Sequence, residues 1–140
     1  MAYRRPEYTG VDTESSKYAS HKYENNQLVF TVEQGTQFYL KLNLKANPWP
    51  TSYSLSKDGN QLQLLPARGG GGGPGTIYVN VDSFNIQSVQ NDDAGTYTLS
   101  CSNRVGNASF SFRLRVEGKA LILIVRISAI LASLISSLAT

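Results

Sequence analysis

From Leu28 onward, apolar and polar side chains alternate with period two, the spacing that turns one face of a strand inward and the other to water. Leu28, Phe30 and Val32 alternate before a turn at Gly35, and Phe38, Leu40, Leu42 and Leu44 follow with Tyr39, Lys41, Asn43 and Lys45 on the other side. Pro48-Trp49-Pro50 interrupts the pairing. A strand restarts over residues 53–56 and ends at Lys57-Asp58-Gly59-Asn60, with a short strand expected over 61–65. Residues 76–81 are strand-like, and Phe84, Ile86 and Val89 lead into Asp93-Ala94-Gly95-Thr96-Tyr97. Tyr97, Leu99 and Cys101 then point one way. A hairpin turn over 103–107 returns the chain into Phe110, Phe112, Leu114 and Val116, which alternate with Ser109, Ser111, Arg113 and Arg115.

Three segments lie outside this pattern. Residues 1–25 are polar and aperiodic, and read as a linker or disordered arm whose Tyr3, Tyr8, Tyr18 and Tyr23 are solvated. Residues 68–75 hold six glycines and a proline, the composition of a loop. Residues 120–139 are nearly continuous in Leu, Ile, Val, Ala and Ser, broken by Arg126. Short strands at regular spacing with no amphipathic helix between them predict an all-β domain over 26–118, packed as a two-sheet sandwich.

Several residues carry a closer resemblance. Gly35-x-x-Phe38-x-Leu40-x-Leu42, Asn47-Pro48-Trp49-Pro50, Leu55-Ser56-Lys57-Asp58-Gly59, the run from Phe84 through Asp93, Gly95 and Tyr97, and Asn103-Arg104-Val105-Gly106 together resemble an immunoglobulin domain of the I-set kind. The resemblance implies a Greek-key sandwich and a tyrosine corner closed by the Tyr97 hydroxyl. It also implies a pairing of Asp93 with an arginine, for which Arg68 is the candidate. The chain departs from the family pattern at three linked positions. Leu42 and Leu99 stand where the bridging cysteines belong, and Leu55 replaces the core tryptophan. Losing such a bridge costs about 2–5 kcal/mol. Each leucine buried instead returns roughly 1.5–3 kcal/mol. A repacked apolar core is therefore expected around Leu42, Leu55 and Leu99.

Composition narrows the chemistry. The chain has 140 residues, a formal charge of +3, one cysteine and one histidine. The charge is too mild and dispersed to argue for nucleic acid. One cysteine permits no intrachain disulfide, and Cys101 reads as a small buried thiol. His21 sits in the polar arm, so no nucleophile–histidine pair is available within the domain, and no cluster has metal-ligand spacing. Gly70-x-Gly72-x-x-Gly75 formally satisfies a dinucleotide fingerprint, but a strand follows it instead of a helix, so it lacks a phosphate cradle. No cofactor, small-molecule substrate or enzymatic activity is expected.

The candidate sites are those of a recognition module. Trp49 sits between two prolines at a sandwich end, where recognition loops cluster. Arg104, Arg113 and Arg115 are candidates for a basic strip on a sheet face that often binds partners in the family. Asn107-Ala108-Ser109 is an N-glycosylation sequon. As a helix, residues 120–139 would be about 30 Å long, enough to cross a bilayer. The expectation is a non-catalytic protein-recognition domain of a membrane receptor or adhesion molecule, with a protein ligand or homophilic partner. The alternative is an intracellular structural immunoglobulin domain of a cytoskeletal protein, which agrees with the missing bridge and the absence of an apolar leader.

Overall fold

The computed structural model describes residues 2–15, 20–62, 77–118, 128 and 130–136. Two sheets face each other. The smaller is formed by β1 (Arg4–Val11), β4 (Phe38–Asn47), β8 (Ser83–Ile86) and β7 (Ile77–Asn80), in that spatial order. The larger runs β2 (Ser20–Glu24), β3 (Gln27–Glu33), β10 (Asn107–Glu117), β9 (Gly95–Ser102), β5 (Ser52–Lys57) and β6 (Asn60–Leu62). The chain crosses between sheets after β1, β3, β4, β6 and β8, the Greek-key path. β3 and β10 pair in parallel, joining an early strand to the last one, while β9 flanks β10 antiparallel.

Alternation explains the core. Leu28, Phe30 and Val32 of β3, Phe38, Leu40 and Leu42 of β4, Leu55 of β5, Phe84 and Ile86 of β8, Tyr97 and Leu99 of β9, and Phe112 and Leu114 of β10 form one buried cluster. Leu55 and Leu99 lie directly opposite each other across β5 and β9. Beside them the aromatics interlock, with Phe84 edge-on to Tyr97 at 4.9 Å and Tyr97 stacked on Phe112 at 5.5 Å. Such ring pairs add about 0.5–1.5 kcal/mol beyond their buried area. Leucines and rings thus fill the space between the sheets. Cys101 is buried next to this core, and burial pushes its thiol pKa up against the hydrogen bond it shares with Tyr8.

The polar amino-terminal segment corrects the reading of residues 1–25 as a linker or disordered arm. β1 pairs with the edge of β4 through two register shifts, with Pro6 buried and the Tyr8 hydroxyl donating to the Val81 carbonyl at 2.8 Å. β2 forms a hairpin with β3 around Asn25-Asn26, whose φ angles of 50° and 64° are those of a type I′ turn. Beyond this ladder with β3, its side chains hold to the sheet by ion pairs. Glu24 accepts both guanidinium nitrogens of Arg115, at 3.1 and 2.6 Å, and pairs with Lys22 at 2.9 Å. Bonds from Lys22 and then Arg115 hold the Glu24 carboxyl below the usual glutamate range.

Ser128 and residues 130–136 are helical, with Ile130, Leu131, Leu134 and Ile135 exposed. Among the described residues, no helix is long and apolar enough to cross a membrane. Most of the hydrophobic segment 119–140 expected to span a bilayer, including Arg126, lies outside the described residues. So do the glycine-rich run 68–75, Arg68, Tyr18 and the part of the expected short strand beyond Leu62.

Candidate recognition pole

Three loops meet at one end of the sandwich: the start of β1, the β4–β5 connection with Trp49, and the β9–β10 hairpin with Arg104. One side chain ties them together. Asn103 donates its amide to the carbonyls of Arg4 (2.7 Å) and Pro48 (3.0 Å), and its oxygen accepts the N–H groups of Val105 (2.9 Å) and Gly106 (3.1 Å). Two donated and two accepted bonds use the full capacity of an asparagine amide and fix its orientation without ambiguity. Asn47 adds a bond to the Ala2 carbonyl at 2.7 Å. The hairpin closes through the Asn103 N–H on the Gly106 carbonyl at 3.0 Å. Gly106 allows a close approach: a Cβ there would sit tightly against the Arg5 side chain, at 3.0 Å.

The locked loops hold large apolar side chains outward. Trp49 is 50% exposed, Tyr3 61% and Val105 47%. The Arg104 guanidinium lies over the Tyr3 ring, 4.1 Å from its centroid, a cation–π arrangement that spends the flat face of the guanidinium and leaves its in-plane donors available. Arg4 pairs with Glu7 at 3.2 Å. Asn107 is exposed at the start of β10 and, with Arg4, Arg5 and Glu7, lines a cleft of about 520 Å³ between β1 and β10.

The structure therefore joins Trp49 and Arg104 and separates both from Arg113 and Arg115. These two lie six and eight residues beyond Asn107 along β10, roughly 20 Å or more away at the rise of a strand. Arg115 is engaged by Glu24, and Arg113 lines a cleft of about 610 Å³ with Lys22, Thr31 and Asp58. Between Arg113 and the pole, the outer face of β5, β9 and β10 is a field of short hydroxyls. Ser52 meets Ser102 at 3.0 Å, Thr98 meets Ser111 at 2.8 Å, and Ser100 donates to Ser109 at 3.3 Å. Serine is depleted at protein interfaces whereas Trp, Tyr and Arg are enriched. The pole, with Trp49, Tyr3 and Arg104, has the composition typical of interfaces, and the hydroxyl face does not.

The opposite end is built differently. The buried Tyr97 hydroxyl donates to the Asp93 carbonyl at 2.5 Å, closing the tyrosine corner. Burial pushes the Tyr97 phenol up, with the nearby Asp93 and Asp58 adding to it. The Asp93 carboxylate accepts the Gln90 N–H at 2.7 Å, and burial raises its pKa in spite of that bond. Its expected arginine partner, Arg68, lies outside the described residues. Gly95 opens β9, and a Cβ there would meet the Asp58 carboxylate at 2.8 Å and Lys57 Cε at 2.9 Å. That space lets Asp58 accept the Thr96 N–H at 2.8 Å, while Lys57 donates to the Asp92 carbonyl. Among the described residues no group of three histidine, cysteine or acidic side chains is placed to hold a metal ion.

Sequence reasoning picked out Trp49 and Arg104 and missed Asn103, Asn47, Tyr3, Arg5 and Val105. The signal for Asn103 was the pattern Asn-x-x-Gly in a hairpin, where a side-chain amide can bond backbone two and three residues on. Its reach to Arg4 and Pro48 spans three distant segments and has no local signature.

Two sheets in this order, closed by a tyrosine corner, define an immunoglobulin-like sandwich. The immunoglobulin I-set domain matches residues 23–116, more than half of the chain, and the chain belongs to that family. No curated protein sequence matches it. Similar solved structures are the titin domains Z1Z2 in complex with telethonin, at 19% identity over 85% of this chain and 51% of that one, with a TM-score of 0.57. Titin M4 is similar at 20% identity over 84% of this chain and 100% of that one, TM-score 0.56. Titin M3 is similar at 20% identity over 81% and 97%, TM-score 0.53. This chain thus spans about half the length of the Z1Z2 chain. At these identities the likeness shows the fold alone.

Proposed function

We propose that this chain is a non-catalytic protein-recognition module that works through the pole carrying Trp49, Tyr3, Val105 and Arg104. The observation that carries the reading is Asn103. Four side-chain bonds hold three loops in one arrangement while a tryptophan stands half exposed among them. A preorganised loop cluster loses little entropy on binding, and a rigid aromatic is the kind of anchor that dominates an interface. The test is a photo-crosslinking amino acid placed at position 49 in cells. A discrete protein adduct is expected, and it should disappear in Asn103→Ala. Labelling no different from that of a probe at Ser54 on the hydroxyl face would sink the reading.

For the setting, an intracellular structural role is the better supported. The core needs no bridge, Cys101 is a buried thiol, and the similar domains are those of titin, one pair of which is in complex with a protein, telethonin. A membrane receptor or adhesion molecule is the second reading, favoured by the exposed Ile130, Leu131, Leu134 and Ile135 and by the exposed sequon at Asn107. Expression in a eukaryotic cell separates them. A glycosidase-sensitive band that is lost in Asn107→Gln would put the domain in the secretory lumen and remove the intracellular reading. An unglycosylated protein in the cytosolic fraction is expected.

A further inference from the structure

The pole has a charge as well as a shape. Arg4, Arg5 and Arg104 lie within it, and residues 2–6, 46–55 and 98–108 contain no aspartate or glutamate. Arg4 is paired with Glu7, whereas among the described residues neither Arg5 nor Arg104 has a carboxylate partner. Their geometry is set in advance. Arg5 packs its stem closely against Gly106, and Arg104 rests its flat face on Tyr3. A guanidinium held by its face or stem keeps its fork of N–H donors free, and a carboxylate fits that fork in two parallel bonds. Pre-paid side-chain order makes such a bond stronger than one to a free surface arginine.

The other end of the sandwich gathers the carboxylates. Glu33 and Glu117 lie side by side where β3 and β10 end, and Glu117 shares a cleft with Asp58 and with Lys22, Arg113 and Arg115. The two ends are roughly 35 Å apart along β10 at the rise of a strand. At physiological salt the Debye length is about 8 Å, so the field at the recognition pole is that of its own arginines.

We infer that the pole binds an acidic protein segment, in which carboxylates engage Arg5 and Arg104 and an apolar side chain seats against Trp49, Tyr3 and Val105. This rests on the pole being the recognition surface. Exposed aromatics beside unpaired guanidiniums, with no acid between them, fit a partner that supplies both an apolar anchor and negative charge. An anionic membrane would satisfy the arginines, but it has no use for loops locked in one arrangement by Asn103.

The full chain in a mild non-ionic detergent is panned against random displayed peptides, with wild type, Trp49→Ala and the double variant Arg5→Glu/Arg104→Glu compared. All three are to show the same thermal transition, since the substitutions lie on the surface. Enriched peptides are expected to carry Asp or Glu next to a large apolar residue. Their affinity should fall roughly tenfold or more in Trp49→Ala. It should also fall with added salt and in the double variant. Peptides lost in Trp49→Ala but without acidic bias would overturn the inference while leaving the pole as the recognition surface. Acidic peptides indifferent to both variants, or no enrichment at all, would overturn both. Capture of wild type but not the double variant by phosphatidylserine-containing vesicles, with no such peptides selected, would replace the protein partner by a lipid surface and also overturn it.

Discussion

The two ends of this sandwich solve the same problem with opposite use of their aromatics. Each must hold loops that have no sheet partners, and each does so by side-chain bonds to backbone. At the acidic end the tie is Tyr97, whose ring is stacked in the core on Phe112 while its hydroxyl reaches the Asp93 carbonyl. At the basic end the tie is Asn103, a small polar residue that anchors three loops and leaves Trp49 and Tyr3 outside. Where the aromatic serves as the tie, the loop becomes part of the core. Where an amide serves, the aromatics are left free to meet a partner. On the proposed function, stability and recognition thus fall at different ends of one small domain.

Substitutions at the two ends sharpen this contrast. Tyr97→Phe keeps the ring and removes the hydroxyl, leaving a buried carbonyl without its donor. We expect a loss of about 1–3 kcal/mol in denaturant unfolding, with binding at the pole unchanged; a loss near zero would show that the corner does not hold the acidic end. Asn103→Ala is expected to cost less, about 1–2 kcal/mol, because its bonds are partly exposed. It should also raise amide exchange at Val105 and Gly106 while β9 and β10 stay protected. Equal loosening of the strands would erase the distinction between the ends.

Asp93 tests the acidic end through pH. Its carboxyl is raised above the ordinary aspartate value of 3.8, with burial outweighing the Gln90 N–H. A raised carboxyl contributes stability that is fully present below the unfolded-state value and is lost as pH rises through the folded one. At neutral pH the ionised group is therefore a net cost. Asp93→Asn, which keeps an oxygen for Gln90, should be neutral or slightly stabilising there, within about 1 kcal/mol, and that difference should vanish below pH 3.8. A large destabilisation at pH 7 would mean that the charge itself holds the turn. The smallest effect is expected for Trp49→Ala, within about 0.5 kcal/mol in unfolding. A bigger loss would move Trp49 from recognition to the structural side of the comparison.

What was legible in the sequence follows the range of the forces involved. Period two in β3, β4, β9 and β10 announces strands because each must bury one face, and Asp93, Gly95 and Tyr97 announce the corner because its bond spans four residues. Missing were β1 and β2, and the reason is physical. β1 contains Pro6 and Gly10, carries two register shifts, and is a strand because the edge of β4 needs a partner. β2 buries almost nothing and, besides its ladder with β3, is held by Glu24 reaching Arg115, ninety-one positions away. The same pairing neutralises Arg115, which still lines a cleft beside Arg113 where the alternation placed it.

The sequence by itself determined the sandwich, its I-set kinship and the leucines at the bridge and tryptophan positions, because alternation and short-range turns write those into neighbouring residues. Tertiary structure alone decided that a polar amino terminus would become two strands. It also decided that Asn103 would draw three distant loops into one pole, leaving Trp49 with Arg104 and apart from Arg113. Those outcomes depend on hydrogen bonds and ion pairs between segments far apart in the chain, whose partners are set by where the packed sheets bring them.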